Sequence, residues 1–246
     1  MPRYLIEVAY DGTNYSGFQV QKNAITIQSE VEKAMLVYFR RSFSLTGSSR
    51  TDAGVHAFQN FFHADSDNEL TDFQNSVYSI NCLLPHDITV KDIRRVKDDF
   101  HCRFDATERY YVYKIYFKKD PFLLNRAYYY PYPLDILKLN EAASLITSTK
   151  NFKSFSKRKT QVKTFNCSIT ESKWLLEGDL LEYHVSANRF LRGMVKGLVA
   201  TMLLVGTGKI GYNQFLSIIR SEDCANADFS APPHALYLKS VVFDEQ

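Results

Sequence analysis

In the segment Gly47-Ser48-Ser49-Arg50-Thr51-Asp52-Ala53-Gly54-Val55-His56-Ala57, one residue can act as a nucleophile without a partner base, and that is Asp52. A carboxylate is ionised at neutral pH because its ordinary pKa is about 3.9. Arg50 lies two residues earlier, and in an extended segment positions i and i+2 point to the same side. Arg50 is therefore placed either to hold Asp52 charged or to reach a phosphate beside it. The same residues also suit a plain turn, with an Asx turn at Asp52 closed by Gly54. Taken alone, these local features favour the turn.

Three other groupings have chemical potential. Residues 110–116 form a tyrosine-rich run. Arg189, Arg192 and Lys196 fall at i, i+3 and i+7. Residues 151–165 interleave Lys153, Lys157, Arg158, Lys159 and Lys163 with Phe152, Phe155 and Phe165. Aromatic rings stack on bases at roughly 1–3 kcal/mol each, and cations track phosphates. Together these groups suggest an RNA groove, although each taken alone reads first as sheet core, solvated helix face or surface loop. His56 and His63 lack metal-ligand spacing, no serine sits in a nucleophile elbow and no phosphate loop is present. Neither a metal nor a nucleotide cofactor is indicated.

The loop of Asp52 is predicted to hang between strands at 42–46 and 58–64, which makes it a rigid support for a reactive side chain. Upstream, a strand at 3–10 leads through a turn-rich loop at 11–19 to a helix over 27–41, with Thr26 as its N-cap. Downstream come a helix over 70–83, a stop at Pro85 and a strand at 88–96. This β-α-β-β-α-β order is the ferredoxin-like pattern. Residues 1–103 are read as a first domain and 104–246 as a second of similar plan, with no evident sequence repeat. In the second, 108–118 is apolar or aromatic on both faces, as a strand near the centre of a sheet would be. A Pro/Tyr-rich connection over 120–134 follows, then a helix over 135–149 and a hairpin of 169–176 with 180–187. A helix over 189–205 carries the basic stripe and is ended by Gly206 and Gly208. The last elements are a helix over 212–220 and a strand at 235–243. The expected fold class is α+β, with two ferredoxin-like halves sharing a central, mainly antiparallel sheet.

With 246 residues the chain is long enough for a sizeable core. Its 30 Lys and Arg against 27 Asp and Glu give a net charge of only +3, so any nucleic-acid surface must arise from local clustering. The four cysteines are scattered without a C-x-x-C pair, which fits a reducing cytoplasm. No signal-peptide pattern and no membrane-spanning apolar run is seen.

The strings also bear a collinear likeness to a known family. Tyr10-Asp11-Gly12, Tyr15-x-Gly17-Phe18-Gln19-x-Gln21 and Arg50-Thr51-Asp52-Ala53-Gly54-Val55-His56 resemble the tRNA pseudouridine synthase A family. So do Phe100-His101-x-Arg103-Phe104-x-Ala106-Thr107 with Arg109-Tyr110-Tyr111-x-Tyr113, then Ala187-Asn188-x-Phe190-Leu191-x-x-Met194-Val195-Lys196, and Ala231-Pro232-x-x-x-Leu236-Tyr237-Leu238. The resemblance covers nearly the whole chain. It implies the pseudouridine synthase fold and isomerisation of uridine to pseudouridine at positions 38 to 40 of the tRNA anticodon stem-loop, without a cofactor. It makes Asp52 the nucleophile, attacking either C1′ of the ribose or C6 of the uracil. It gives Tyr111 the stack on the target base, Arg50 a backbone contact and Leu236 an apolar contact beside the base. The family's basic partner of the aspartate falls on Lys196, with Arg192 one predicted helical turn away and Arg189 on the same stripe. A cytoplasmic homodimer, with one tRNA spanning both subunits, is implied as well. Three departures are visible: Ser48-Ser49 for the usual Ala-Gly, Phe18 for a common tryptophan, and Lys196 for arginine, which keeps the charge but loses the bidentate fork. They leave a paralogue acting on another RNA, or a non-catalytic tRNA binder, as alternatives.

Overall fold

The structure is a computed structural model that describes residues 1–158 and 162–244; Lys159 of the basic loop lies outside the described residues. In chain order the elements are β1 (Arg3–Tyr10), α1 (Ile27–Phe39), β2 (Thr46–Gly47), β3 (His56–Asp65), α2 (Phe73–Leu83), β4 (Ile88–Val96), β5 (Ala106–Tyr116), β6 (Tyr128–Tyr129), α3 (Ile136–Ser148), β7 (Ile169–Glu177), β8 (Leu180–Ala187), α4 (Met194–Gly206), α5 (Tyr212–Arg220) and β9 (Leu236–Phe243). The chain divides into two compact units: Met1–Thr107 with Tyr237 onward, and Glu108–Leu236. The closing strand β9 is thus counted with the first unit from Tyr237 on.

The first unit orders its strands β4-β1-β3-β2, all antiparallel. This is the expected β-α-β-β-α-β plan with its second strand reduced to two residues. The shortening has a visible cause. A strand over 42–46 was expected, but side chains of α1 take the backbone of Leu45. Glu32 accepts from Leu45 N at 3.1 Å, and Gln28 Nε2 donates to Leu45 O at 2.8 Å. Those backbone groups are satisfied without a sheet partner. The edge of β3 left open is shared: β2 pairs at Phe62 and His63, while β9 runs parallel at His56 and Ala57. Helix α1 starts at the predicted cap, where Thr26 and Ser29 bond reciprocally. It stops two residues short of 41 because Arg40 turns left-handed at φ 53°. Helix α2 begins at Phe73 rather than 70, since Asp72 is its left-handed N-cap.

A buried pair in this unit is pH-sensitive. His63 Nδ1 lies 3.2 Å from the Cys102 thiol, which reaches Thr46 O at 3.1 Å. Burial, with Arg3 and His101 adding repulsion, pushes the His63 pKa from 6.5 down to about 4. The unfolded chain therefore binds a proton that the folded one refuses between those values. Stability is retained above pH 6.5 and lost as the pH falls towards 4. Urea unfolding at pH 5 should give a stability about 2 kcal/mol below that at pH 7 from this group. The deficit should shrink in His63→Asn; an equal deficit in the variant would place its origin elsewhere.

The second unit pairs β5, β8 and β7 antiparallel, with the short β6 running parallel to β5 at Ile115 and Tyr116. Strand β5 has neighbours on both edges, as its two apolar faces require. Its Tyr111, Val112, Tyr113, Ile115 and Tyr116 are all buried. Helix α3 packs on β7 and on α4. Helix α4 is apolar all round and every residue but Leu204 is buried, so it is a central core helix. It also corrects an expectation. The helix does not run from 189 but starts at Met194, because Gly193 is left-handed at φ 73°. A right-handed helix cannot continue through that conformation. Arg189, Arg192 and Lys196 therefore form no helical stripe.

Among the described residues no helix is long and apolar enough to cross a membrane. Among the described residues no two cysteines form a disulfide.

Candidate active site

Asp52 lies on a half-buried turn in the first unit. Its carbonyl accepts from Val55 N at 3.2 Å, and Gly54 between them has φ 76°. This is the type II turn, which needs glycine at its third position. The turn is closed by the backbone, so the Asp52 carboxylate is not spent on closing it. The neighbouring loop presses on it. Phe18 N donates to Thr51 O at 3.1 Å. A Cβ at Gly12 would sit 2.0 Å from Val55 O, a contact only glycine avoids. The motif Tyr10-Asp11-Gly12 is thus read structurally: it lets one loop lie directly against the loop that carries Asp52.

His56 closes the other side of the turn. Its Nδ1 lies 2.9 Å from Asp11 Oδ1 and 3.1 Å from Gly12 N. One nitrogen cannot donate to the first and accept from the second. Which of the two it engages follows the tautomer of the ring. The His56 ring stacks on Tyr237 at 4.7 Å, and Phe58 stacks on the same tyrosine at 5.2 Å. Among the described residues no group of three or more His, Cys, Asp or Glu is placed to hold a metal.

Arg50 is exposed, and none of the ion pairs among the described residues involves it. Of its two expected roles, the outward one fits this placement. The sequence reading missed Asn60 and Tyr10, which are buried beneath the loop. The signal was an asparagine inside the aromatic and apolar run of β3, a residue that must find partners when buried.

In the second unit, Tyr111 is 7 % exposed and meets Phe190 edge-to-face at 5.0 Å. Arg109, two residues earlier, is buried and donates from Nη1 to Asn188 O at 2.7 Å. That bond ties the start of β5 to the segment leading into α4. Lys196 is the third residue of α4 and only 7 % exposed. A buried cation is costly, and the first turn of a helix is the positive end of its dipole. Arg192 is exposed on the turn before Gly193, and its carbonyl accepts from Lys157 N at 3.0 Å. Arg189 is half-buried, and its charge partly offsets the rise of the buried Cys167 thiol to about 11. Leu236 is buried at the start of β9. Asp52 and Arg50 therefore belong to the first unit, and Tyr111, Lys196, Arg189, Arg192 and Leu236 to the second.

The first unit presents a carboxylate on a clamped turn, and the second, taken by itself, a buried lysine and a buried tyrosine. A family model described as tRNA pseudouridine synthase matches residues 6–105 and 142–244. The chain belongs to the tRNA pseudouridine synthase family, a family of isomerases. It is 40 % identical over 246 residues to tRNA pseudouridine synthase A of Parabacteroides distasonis, covering 100 % of this chain and 98 % of the relative. The like-named protein of Porphyromonas gingivalis is 43 % identical, with 99 % and 98 % covered. That of Staphylococcus aureus strain MRSA252 is 38 % identical, with 99 % and 92 % covered. The mixed α+β architecture agrees with the pseudouridine synthase fold expected for it.

Proposed function

We propose that Asp52 is the nucleophile with which this pseudouridine synthase isomerises uridine in the anticodon stem-loop of tRNA, at positions 38 to 40. The N1–C1′ bond breaks, the uracil turns, and C5 bonds to C1′. C5 then loses its proton and N1 gains one, so the reaction is redox-neutral and needs no cofactor. The observation that carries the reading is the Asp52 turn, which is closed by its own backbone and packed against Gly12, so that the aspartate sits on a rigid support. Lys196 is the cationic catalytic group, supported by its burial in the first turn of α4. Tyr111 stacks on the extruded base, offsetting an unstacking cost of a few kcal/mol. Leu236 adds apolar contact, and Arg50, Arg189 and Arg192 meet the RNA backbone. The N-terminal half, 1–103, supplies the aspartate loop, and 104–246 supplies the tyrosine and the basic residues. The enzyme acts as a cytoplasmic homodimer across which one tRNA lies.

The test is pseudouridine mapping on unmodified tRNA transcripts incubated with the enzyme. New pseudouridine confined to positions 38 to 40 is expected. Conversion only at other sites would make it a paralogue of different target, and binding without conversion would make it a tRNA-binding protein.

A further inference from the structure

Beneath the Asp52 turn, Asn60 of β3 is fully buried and uses every hydrogen bond an amide can make. Its Nδ2 donates to Ser49 O at 2.9 Å and to the Tyr10 hydroxyl at 3.0 Å. Its Oδ1 accepts from Ser48 Oγ at 2.8 Å and from Phe61 N at 2.9 Å. Tyr10 carries the connection onward, its hydroxyl lying 2.8 Å from Thr51 Oγ1. Either hydroxyl can be the donor in that pair, and in both directions it links Asn60 to Thr51. One side chain thus engages Ser48 and Ser49 directly and Thr51 through a single relay, three of the four residues that precede Asp52. A valine would pack at this strand position without the cost of desolvating an amide. Four satisfied bonds, three of them serving the loop and its relay, indicate orientation rather than packing.

We infer that Asn60, relayed by Tyr10, is a positioning residue that fixes the direction of the Asp52 carboxylate. The inference rests on Asp52 being the nucleophile. A misplacement of about 1 Å in a reacting group costs up to roughly 100-fold in rate.

The experiment compares full-length wild type, Asn60→Ala, Tyr10→Phe and Asp52→Asn in single-turnover conversion of a tRNA transcript. It reads the maximal rate separately from the enzyme concentration at half-saturation. Asn60→Ala should lower the maximal rate at least tenfold, with half-saturation within about threefold of wild type. Tyr10→Phe keeps the bonds to Ser48 and Ser49 and should lower the rate by a smaller factor, about three- to tenfold. Circular dichroism and thermal melting verify folding; should Asn60→Ala not fold, Tyr10→Phe decides alone. Folded variants with maximal rates within twofold of wild type, or with the loss confined to half-saturation, overturn the inference. Activity surviving in Asp52→Asn would instead overturn the nucleophile assignment. An inactive Asp52→Asn beside full-rate Asn60→Ala and Tyr10→Phe would remove only the positioning role.

Discussion

Asp52→Asn is expected to abolish uridine conversion while leaving tRNA affinity within a few-fold of wild type. The substitution is nearly isosteric, and the turn does not depend on the carboxylate, because Val55 N bonds to the Asp52 backbone carbonyl and Gly54 supplies the left-handed residue. The loop should therefore survive the change. An amide is a poor nucleophile, so the single-turnover rate should fall by more than ~10³-fold, as losses of essential nucleophiles do. Affinity depends mainly on cations that meet phosphates, and no cation is removed. The rate is measured by pseudouridine formation and the affinity by filter binding on the same transcript. A variant that still converts uridine at a tenth of the wild-type rate would remove Asp52 from the chemistry.

Lys196→Ala is expected to lower the single-turnover rate about 100-fold, and Arg192→Ala only a few-fold. The reason is their placement. Lys196 is buried in the first turn of α4, whereas Arg192 lies outside that helix on an exposed turn. A cation at a helix N-terminus opposes the dipole by roughly 0.3–1 kcal/mol, so removing it should not by itself unfold the helix. Lys196→Met keeps most of the buried aliphatic stem and separates packing from charge. It should be as inactive as the alanine variant while melting close to wild type. Arg192→Ala should show itself chiefly in a shallower salt dependence of tRNA binding, through one lost phosphate contact. Should Arg192→Ala instead be the slower variant in single turnover, the cationic role would move to Arg192.

Much of this protein follows from local pattern. The strand over Ile88–Val96 and the helix over Tyr212–Arg220 lie where periodicity and stop residues put them, and the cap at Thr26 is where its side chain can bond Ser29. Each depends on neighbours within a few residues. The turn in the Asp52 loop was legible because its left-handed position demands a glycine, whereas local features alone favoured a plain turn at Asp52 and only the family resemblance gave it a chemical role. Other features were settled by partners distant in sequence. Leu45 left the strand because Gln28 and Glu32 of α1 reached its backbone. Helical spacing also grouped Arg189 and Arg192 with Lys196, but spacing has meaning only within an unbroken helix, and Gly193 breaks this one. The closing strand returned to β3, where only half of one edge was open. Asn60 looked like one polar residue in an aromatic strand until Tyr10, fifty positions away, and Ser48 were brought onto its amide. Side-chain types and short-range spacing determined most of the elements, and the collinear motifs singled out Asp52; the burial that sets Lys196 apart from Arg192, and the bonds that hold the aspartate loop, exist only once distant segments share the same interior.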